Sequence, residues 1–286
     1  SARGNMEQSS ALQKIVVLNP KGGSGKSTIA TNLAAYYAWR GLKVALMDHD
    51  PQGSSMRWLK LRPSTAPVIH GIAAYERKMN VTRAFAWRAP PGTDRLIVDT
   101  PAAVSAQQMP EFVADAGAIV VPVMPSEIDI HAASRTIADL LLAGKVHRSE
   151  RRLVIVANRA RRYTKAYASL MKFLQSMRIP VAAVLRDSQA YVRSAETGLG
   201  LHEMKGALLQ EDLDTWVPLI DWLAVRWRPV VPGTATAMVA DAVPAHDIAH
   251  GNLHDLRVDA HVPDEAPVLD RPDIAAQPLV LVKGGA

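Results

Sequence analysis

The chain has 286 residues, of which 48% are hydrophobic and 21% charged, and it contains no cysteine. That length supports one large α/β domain or two smaller ones. The lack of Cys excludes disulfides, thiol nucleophiles and Cys-ligated iron–sulfur or zinc centres. The formal net charge of +6 hides an asymmetry: residues 229–286 carry three Lys/Arg against eight Asp/Glu, whereas residues 1–228 carry 30 against 19. A basic body of this kind favours polyanionic partners such as nucleic acid.

Residues 1–13 read as a flexible N-terminus, with Ser1-Ala2-Arg3-Gly4-Asn5 a cloning remnant ahead of Met6. They hold no apolar stretch of signal-peptide length, and no later run approaches a membrane span, so a cytoplasmic protein is expected. The first strand candidate, Lys14–Leu18, leads into Lys21-Gly22-Gly23-Ser24-Gly25-Lys26-Ser27-Thr28 and then a helical pattern over Thr28–Trp39. Strand, glycine-rich turn and helix form the setting in which backbone N–H groups converge on phosphate oxygens. Gly22, Gly23, Ser24, Gly25 and Thr28 would frame the anion. Lys26 would reach the β- and γ-phosphates, and the Ser27 hydroxyl would hold Mg²⁺. The common P-loop pattern wants Gly at position 20; this chain has Pro20 there, and an additional lysine, Lys21.

The second strand candidate, Val44–Met47, ends in Asp48-His49-Asp50-Pro51-Gln52-Gly53. Carboxylates at i and i+2 point the same way while the strand conformation lasts. A further apolar strand, Leu96–Val98, terminates in Asp99-Thr100-Pro101, the Walker B arrangement, in which Asp99 would hold Mg²⁺ through water. Strand candidates Ala118–Val123, Leu153–Ala157 and Val181–Leu185 follow, interleaved with helical patterns over Glu127–Leu142, Lys165–Met177 and Glu211–Val225. Continuous apolar runs alternating with helices predict an α/β fold: a doubly wound, mostly parallel sheet with helices on both faces and ligands beyond the carboxyl ends of the strands. Asn158 closes the strand Leu153–Ala157. Basic residues then cluster through Arg148, Arg151, Arg152, Arg159, Arg161, Arg162, Lys165, Arg178, Arg186 and Arg193. From Pro229 the chain turns Pro-rich and acidic, which reads as a disordered tail over 229–286. Within it His246, His250 and His254 repeat every four residues, a short helix face rather than a metal site.

Over residues 14–228 the chain resembles the ParA/MinD family of deviant Walker A ATPases, closest to the short ParA form. The P-loop with Lys21, the D-x-D-P-Q-like run at Asp48–Gln52 and the strand-ending Asp99 carry the likeness. The resemblance implies a P-loop NTPase fold, ATP and Mg²⁺ as ligands, and a sandwich homodimer formed on ATP binding. Lys21 would then reach the nucleotide of the other copy. It further implies that Asp50 orients and helps deprotonate the attacking water, that Asp48 supports the metal site, and that Asn158 and the loop Arg186-Asp187-Ser188 meet adenine. ParA-like dimers bind nonspecific DNA, which by likeness assigns phosphate contacts to Arg159, Arg161, Arg162, Lys165 and Arg193 and places the protein on the nucleoid. With no evident arginine finger, slow hydrolysis stimulated by a cargo-bound activator is expected, in a cycle that partitions or positions a plasmid, a chromosome locus or a protein body. A MinD-like membrane-cycling ATPase and a metabolic P-loop ligase are the alternatives. The terminal Gln277–Ala286, with one lysine and no helical face, disfavours the first, and Lys21 the second.

Overall fold

The computed structural model describes residues 12–76, 87–147, 150–206 and 209–226, all within one unit of the fold. The tail over 229–286, its three histidines and Arg148 lie outside the described residues. Seven parallel strands form a single sheet in the order β3-β2-β4-β1-β5-β6-β7. They are β1 Gln13–Val17, β2 Val44–Asp48, β3 Ile69–Ala73, β4 Arg95–Asp99, β5 Ala118–Val123, β6 Leu153–Ala160 and β7 Val181–Arg186. The helices are α1 Lys26–Trp39, α2 Ser54–Leu61, α3 Met109–Val113, α4 Glu127–Leu142, α5 Lys165–Met177, α6 Gln189–Thr197 and α7 Gln210–Val225, with a 3₁₀ turn at Leu201–Glu203. The doubly wound α/β architecture expected from the sequence is therefore observed.

The apolar runs become strands because each is covered on both faces, as parallel sheets require. Every residue of β2 and β5 is buried. Two apolar layers enclose the sheet. One packs α3, α4 and α5 against Val16, Val98, Ile119, Val121 and Ile155. The other packs α1, α2 and α7 against Ile15, Val17, Leu46, Ile97 and Val120. Helix α1 is buried on almost every side, with Ile29, Leu33, Ala34 and Ala35 fully enclosed, so its sequence carries small apolar residues all round rather than one stripe.

The winding sets the site. From β1 the chain moves to β2 and β3, returns to fill the gap with β4, and then crosses to β5 on the other side of β1. The order thus reverses at β1, and the crevice beyond its carboxyl end is where an open α/β sheet receives a ligand. In register, Val17 lies opposite Asp99 and Asp48 opposite Asp99, so three strand ends finish side by side at that crevice.

Candidate nucleotide-binding site

The loop leaving β1 is fixed before it turns. Asn19 is fully buried; its Nδ2 donates to the Pro122 carbonyl at 2.7 Å, and its Oδ1 accepts the Lys21 N–H at 2.9 Å. Residues Gly23 and Gly25 then adopt left-handed φ of 77° and 93°, a conformation costly for any side chain. Gly25 is also the N-cap of α1 and has no side-chain cap, so the helix presents its first N–H groups to the crevice. Asn158 presses on the loop from β6, donating from Nδ2 to the Ser24 carbonyl at 2.9 Å. It lies inside β6, which runs on to Ala160 through a register irregularity, rather than closing a strand at Ala157.

Lys26 is 6% exposed and donates from Nζ to the Lys21 carbonyl at 3.3 Å. Burial lowers its ammonium from the ordinary lysine value, while Asp99 and Asp50 draw it back up. Those two carboxylates are therefore near enough to act on Lys26. Asp99 is fully buried, and burial pushes its carboxyl up to about 7 against the opposing hydroxyls of Ser27 and Ser55. Ser55 Oγ donates to Asp99 Oδ2 at 2.8 Å; Oδ1 of Asp99 and Oγ of Ser24 have no hydrogen-bond partner in the protein. Unpartnered buried oxygens at a strand end are costly unless something else engages them. A metal with water ligands facing Asp99, and a phosphate facing Ser24, fit that need.

Asp48 and Asp50 differ in their surroundings. Asp48 is buried at the end of β2, with Oδ1 accepting the Asp50 N–H at 2.9 Å and Oδ2 the Met56 N–H at 3.2 Å. Burial raises its carboxyl, and these backbone donors oppose that rise. Asp50 stands after the strand, half-exposed, its Oδ1 accepting the Gln52 N–H at 2.9 Å. It is the carboxylate with access to solvent. Between them His49 turns to the opposite face, edge-on to Trp87 at 4.6 Å and Phe112 at 5.0 Å, and burial lowers its imidazole to about 4. The segment after Asp99 closes over the loop: Thr100 Oγ1 donates to the Val17 carbonyl at 2.9 Å and the Ala103 N–H to the Pro20 carbonyl at 2.7 Å.

Lys21 is turned towards its own chain, with Nζ 2.7 Å from Asp129 Oδ1 in the first turn of α4. Neither Asp129 nor Ser55 stands out in the sequence. An acidic residue three positions after Ser126 reads as a helix-start signal and nothing more, and Ser55 as an ordinary helix residue.

Of the basic residues, Arg159, Arg161, Arg162 and Lys165 are exposed around the carboxyl end of β6 and the start of α5, and Arg193 is exposed on α6. Arg161 pairs with Asp187 at 2.6 Å. Arg186 and Arg152 are committed elsewhere: Arg186 to Glu211 and Asp212, Arg152 to Glu150 and to the carbonyls of Val113 and Ala116. Beside them lies a groove of about 730 Å³, lined by Arg161, Arg162, Tyr163, Arg186, Asp187 and Glu211 among others. The loop expected to meet adenine thus borders an open space, while Asn158 faces the P-loop.

Residues 15–201 match the family described as the CobQ/CobB/MinD/ParA nucleotide binding domain. The chain belongs to this family. Its members bind nucleotides, and the fold and glycine-rich loop described above are those of a ParA/MinD-type domain. The chain is 30% identical over 226 residues to a maintenance of carboxysome distribution protein A from Gloeobacter kilaueensis, a match covering 78% of this chain and 100% of that protein. Among solved structures, a putative plasmid partition protein from Borrelia burgdorferi B31 bound to AMPPNP superposes with a TM-score of 0.56 at 12% identity, covering 75% of this chain and 99% of that one. A Cyanothece McdA(D38A)-ATP complex gives 0.56 at 17% identity, covering 78% and 99%. The resemblance read from Lys21–Thr28, Asp48–Gln52 and Asp99 thus holds at the level of family and fold.

Proposed function

We propose that this protein is a ParA-like positioning ATPase that binds Mg²⁺-ATP at the crevice beyond β1, dimerises on it, and is released by hydrolysis. The observation that carries the reading is that Lys26 and Ser27 open α1 directly after the glycine-rich loop, beside strand ends that bear Asp99, with an unpartnered buried Oδ1, and Asp48, which leads to Asp50. The full-length likeness to a carboxysome distribution protein favours cargo positioning over a metabolic ligase. Among the described residues no helix is long and apolar enough to cross a membrane, and the terminal segment on which a membrane cycle would depend lies outside them.

In this reading Lys26 exchanges the Lys21 carbonyl for phosphate oxygens, and the N–H groups around Gly25 and Lys26 orient the triphosphate. Mg²⁺, when bound, would supply charge neutralisation to the phosphates. Ser27 and Asp99 would hold it, and Asp48, which accepts the Asp50 N–H, would shape the turn that presents Asp50. Asp50 accepts the proton of the attacking water. Lys21 completes the charge set from a second copy. With no arginine in the loop, turnover is slow until an activator engages. Asn158 and the loop at Arg186–Ser188 flank the base.

The exposed Arg159, Arg161, Arg162, Lys165 and Arg193 support nonspecific DNA as the matrix, since phosphate contacts need charge and reach rather than base-edge geometry. The test is the Asp50→Ala variant with saturating ATP. A dimer is expected by light scattering, with affinity for arbitrary duplex DNA that falls steeply as salt rises. A monomer under these conditions would remove the dimer cycle, and absent or salt-insensitive binding would remove DNA.

A further inference from the structure

The Lys21–Asp129 pair has a property that a helix cap does not require. Asp129 is 2% exposed, so its carboxylate has lost nearly all hydration and needs compensation from protein groups. One oxygen, Oδ2, accepts the Ser126 hydroxyl, while the Asp129 N–H donates back to Ser126 Oγ at 3.2 Å. This reciprocal arrangement starts α4, and a neutral amide at position 129 would keep both of its hydrogen bonds in weaker form. The other oxygen, Oδ1, accepts no hydrogen bond of good geometry; the Lys21 ammonium stands 2.7 Å from it as an ion pair. Lys21 is 29% exposed, its backbone N–H tied to Asn19 and its carbonyl to Lys26. Main chain and side chain are thus both engaged within one copy, and Lys21 is the cation that meets the buried Asp129 charge, beside the helix N-terminus.

We propose that Asp129 is a positioning residue for Lys21: its carboxylate, aligned by Ser126, holds the ammonium within its own chain, so that Lys21 reaches a second copy's nucleotide only by giving up this partner. The inference rests on the dimer reading above. Its consequence is a threshold. A copy whose Lys21 is retained contributes less to the paired state, and the phosphate of the facing copy must outcompete a buried carboxylate that is already in contact. Charge removal at Asp129 frees the lysine and lowers the nucleotide concentration needed for pairing.

The test has two arms, both on the full chain. In the first, amine acylation is followed residue by residue by mass spectrometry without nucleotide, with exposed Lys165 as internal reference. Asp129→Asn, which keeps the acceptor for Ser126, is expected to speed acylation of Lys21 several-fold against Lys165, and Asp129→Glu to restore slow labelling. An unchanged Lys21:Lys165 ratio in Asp129→Asn overturns the hold. In the second, dimer formation is titrated with ATP, and Asp129→Asn is expected to lower the midpoint about tenfold, as removal of a competing state does. An unchanged or higher midpoint, with the unmodified chain dimerising, overturns the threshold. Should the unmodified chain remain monomeric, the dimer reading fails and the labelling arm still decides the Lys21–Asp129 contact. If Asp129→Asn does not fold, Ser126→Ala carries the same readouts, with a smaller shift in the same direction expected and no shift overturning the idea.

Discussion

Replacing Gly25 by Ala tests whether the P-loop is shaped by close contact from β6. Gly25 sits at φ 93°, and a Cβ built there falls 2.0 Å from Asn158 Nδ2. An alanine forced into that backbone region costs roughly 1–3 kcal/mol. The Asn158 amide must also swing away, which gives up its 2.9 Å bond to the Ser24 carbonyl and a further 0.5–1.5 kcal/mol or so. A loss of about 3 kcal/mol corresponds to a fall in Tm of roughly 6–12 °C for a domain of this size. Nucleotide affinity should fall in parallel, because the first N–H groups of α1 are re-aimed. Urea unfolding and titration with a fluorescent ATP analogue are the assays. An Asn158→Gly background separates the two costs: the amide and its bond are already gone there, so adding Gly25→Ala should cost only the backbone share. Gly25→Ala within about 0.5 kcal/mol of the unmodified chain, or the same cost of Gly25→Ala in both backgrounds, would refute the reasoning.

Lys26→Ala should weaken ATP binding by roughly 10–100-fold, the worth of a charge-assisted contact to phosphate, as read by the same titration. Arg62→Leu should cost about 3–5 kcal/mol in urea unfolding, because Arg62 is 6% exposed, bridges Glu203 through both Nη atoms and also donates to the Gly198 carbonyl, so its loss strands a buried carboxylate. His49→Phe should gain on the unmodified chain as pH falls. The His49 imidazole is lowered to about 4 in the fold, so below its ordinary value near 6.5 the unfolded chain takes up a proton that the folded chain refuses, and stability is lost as pH drops. Phe keeps the edge-on contacts with Trp87 and Phe112 and does not titrate. The variant's stability relative to the unmodified chain should therefore rise by about 2 kcal/mol between pH 7.5 and 5, and a pH-independent difference would contradict the burial argument.

Elements covered on both faces were legible in the sequence, because burial leaves an apolar run that no other residue choice satisfies. Strands β1, β2, β4, β5, β6 and β7 and helices α1, α4, α5 and α7 fall within a few residues of their expected positions. Strand β3 was not legible. It sits at the sheet edge, pairs only with β2 and buries only Ile69 and Ile72, with His70 and Gly71 exposed, so its run Ile-His-Gly-Ile-Ala shows no apolar continuity. Helix α6 escaped for a related reason: it is short and polar, and Ala190 and Ser194 are its buried residues. In the candidate site, the positions of the glycine-rich loop, Asp50 and Asp99 beyond adjacent strand ends were readable, because their motifs directly follow apolar runs that become strands. Asp129, Ser55 and the Trp87–Phe112 cage were not, since each meets the site only through the fold. Burial also changes what charge implies: Arg152 and Arg186 count as basic in the sequence, yet each is partnered by carboxylates.

Asn19 gives the site a consequence of its own. One buried amide grips the Pro122 carbonyl on β5 with its nitrogen and the first amide of the phosphate loop with its oxygen. The loop is therefore keyed to a strand that is buried along its whole length, and its curvature is inherited from the sheet rather than created by whatever anion arrives. Capture then requires little ordering of main chain, which leaves more of the interaction energy for moving other parts of the protein.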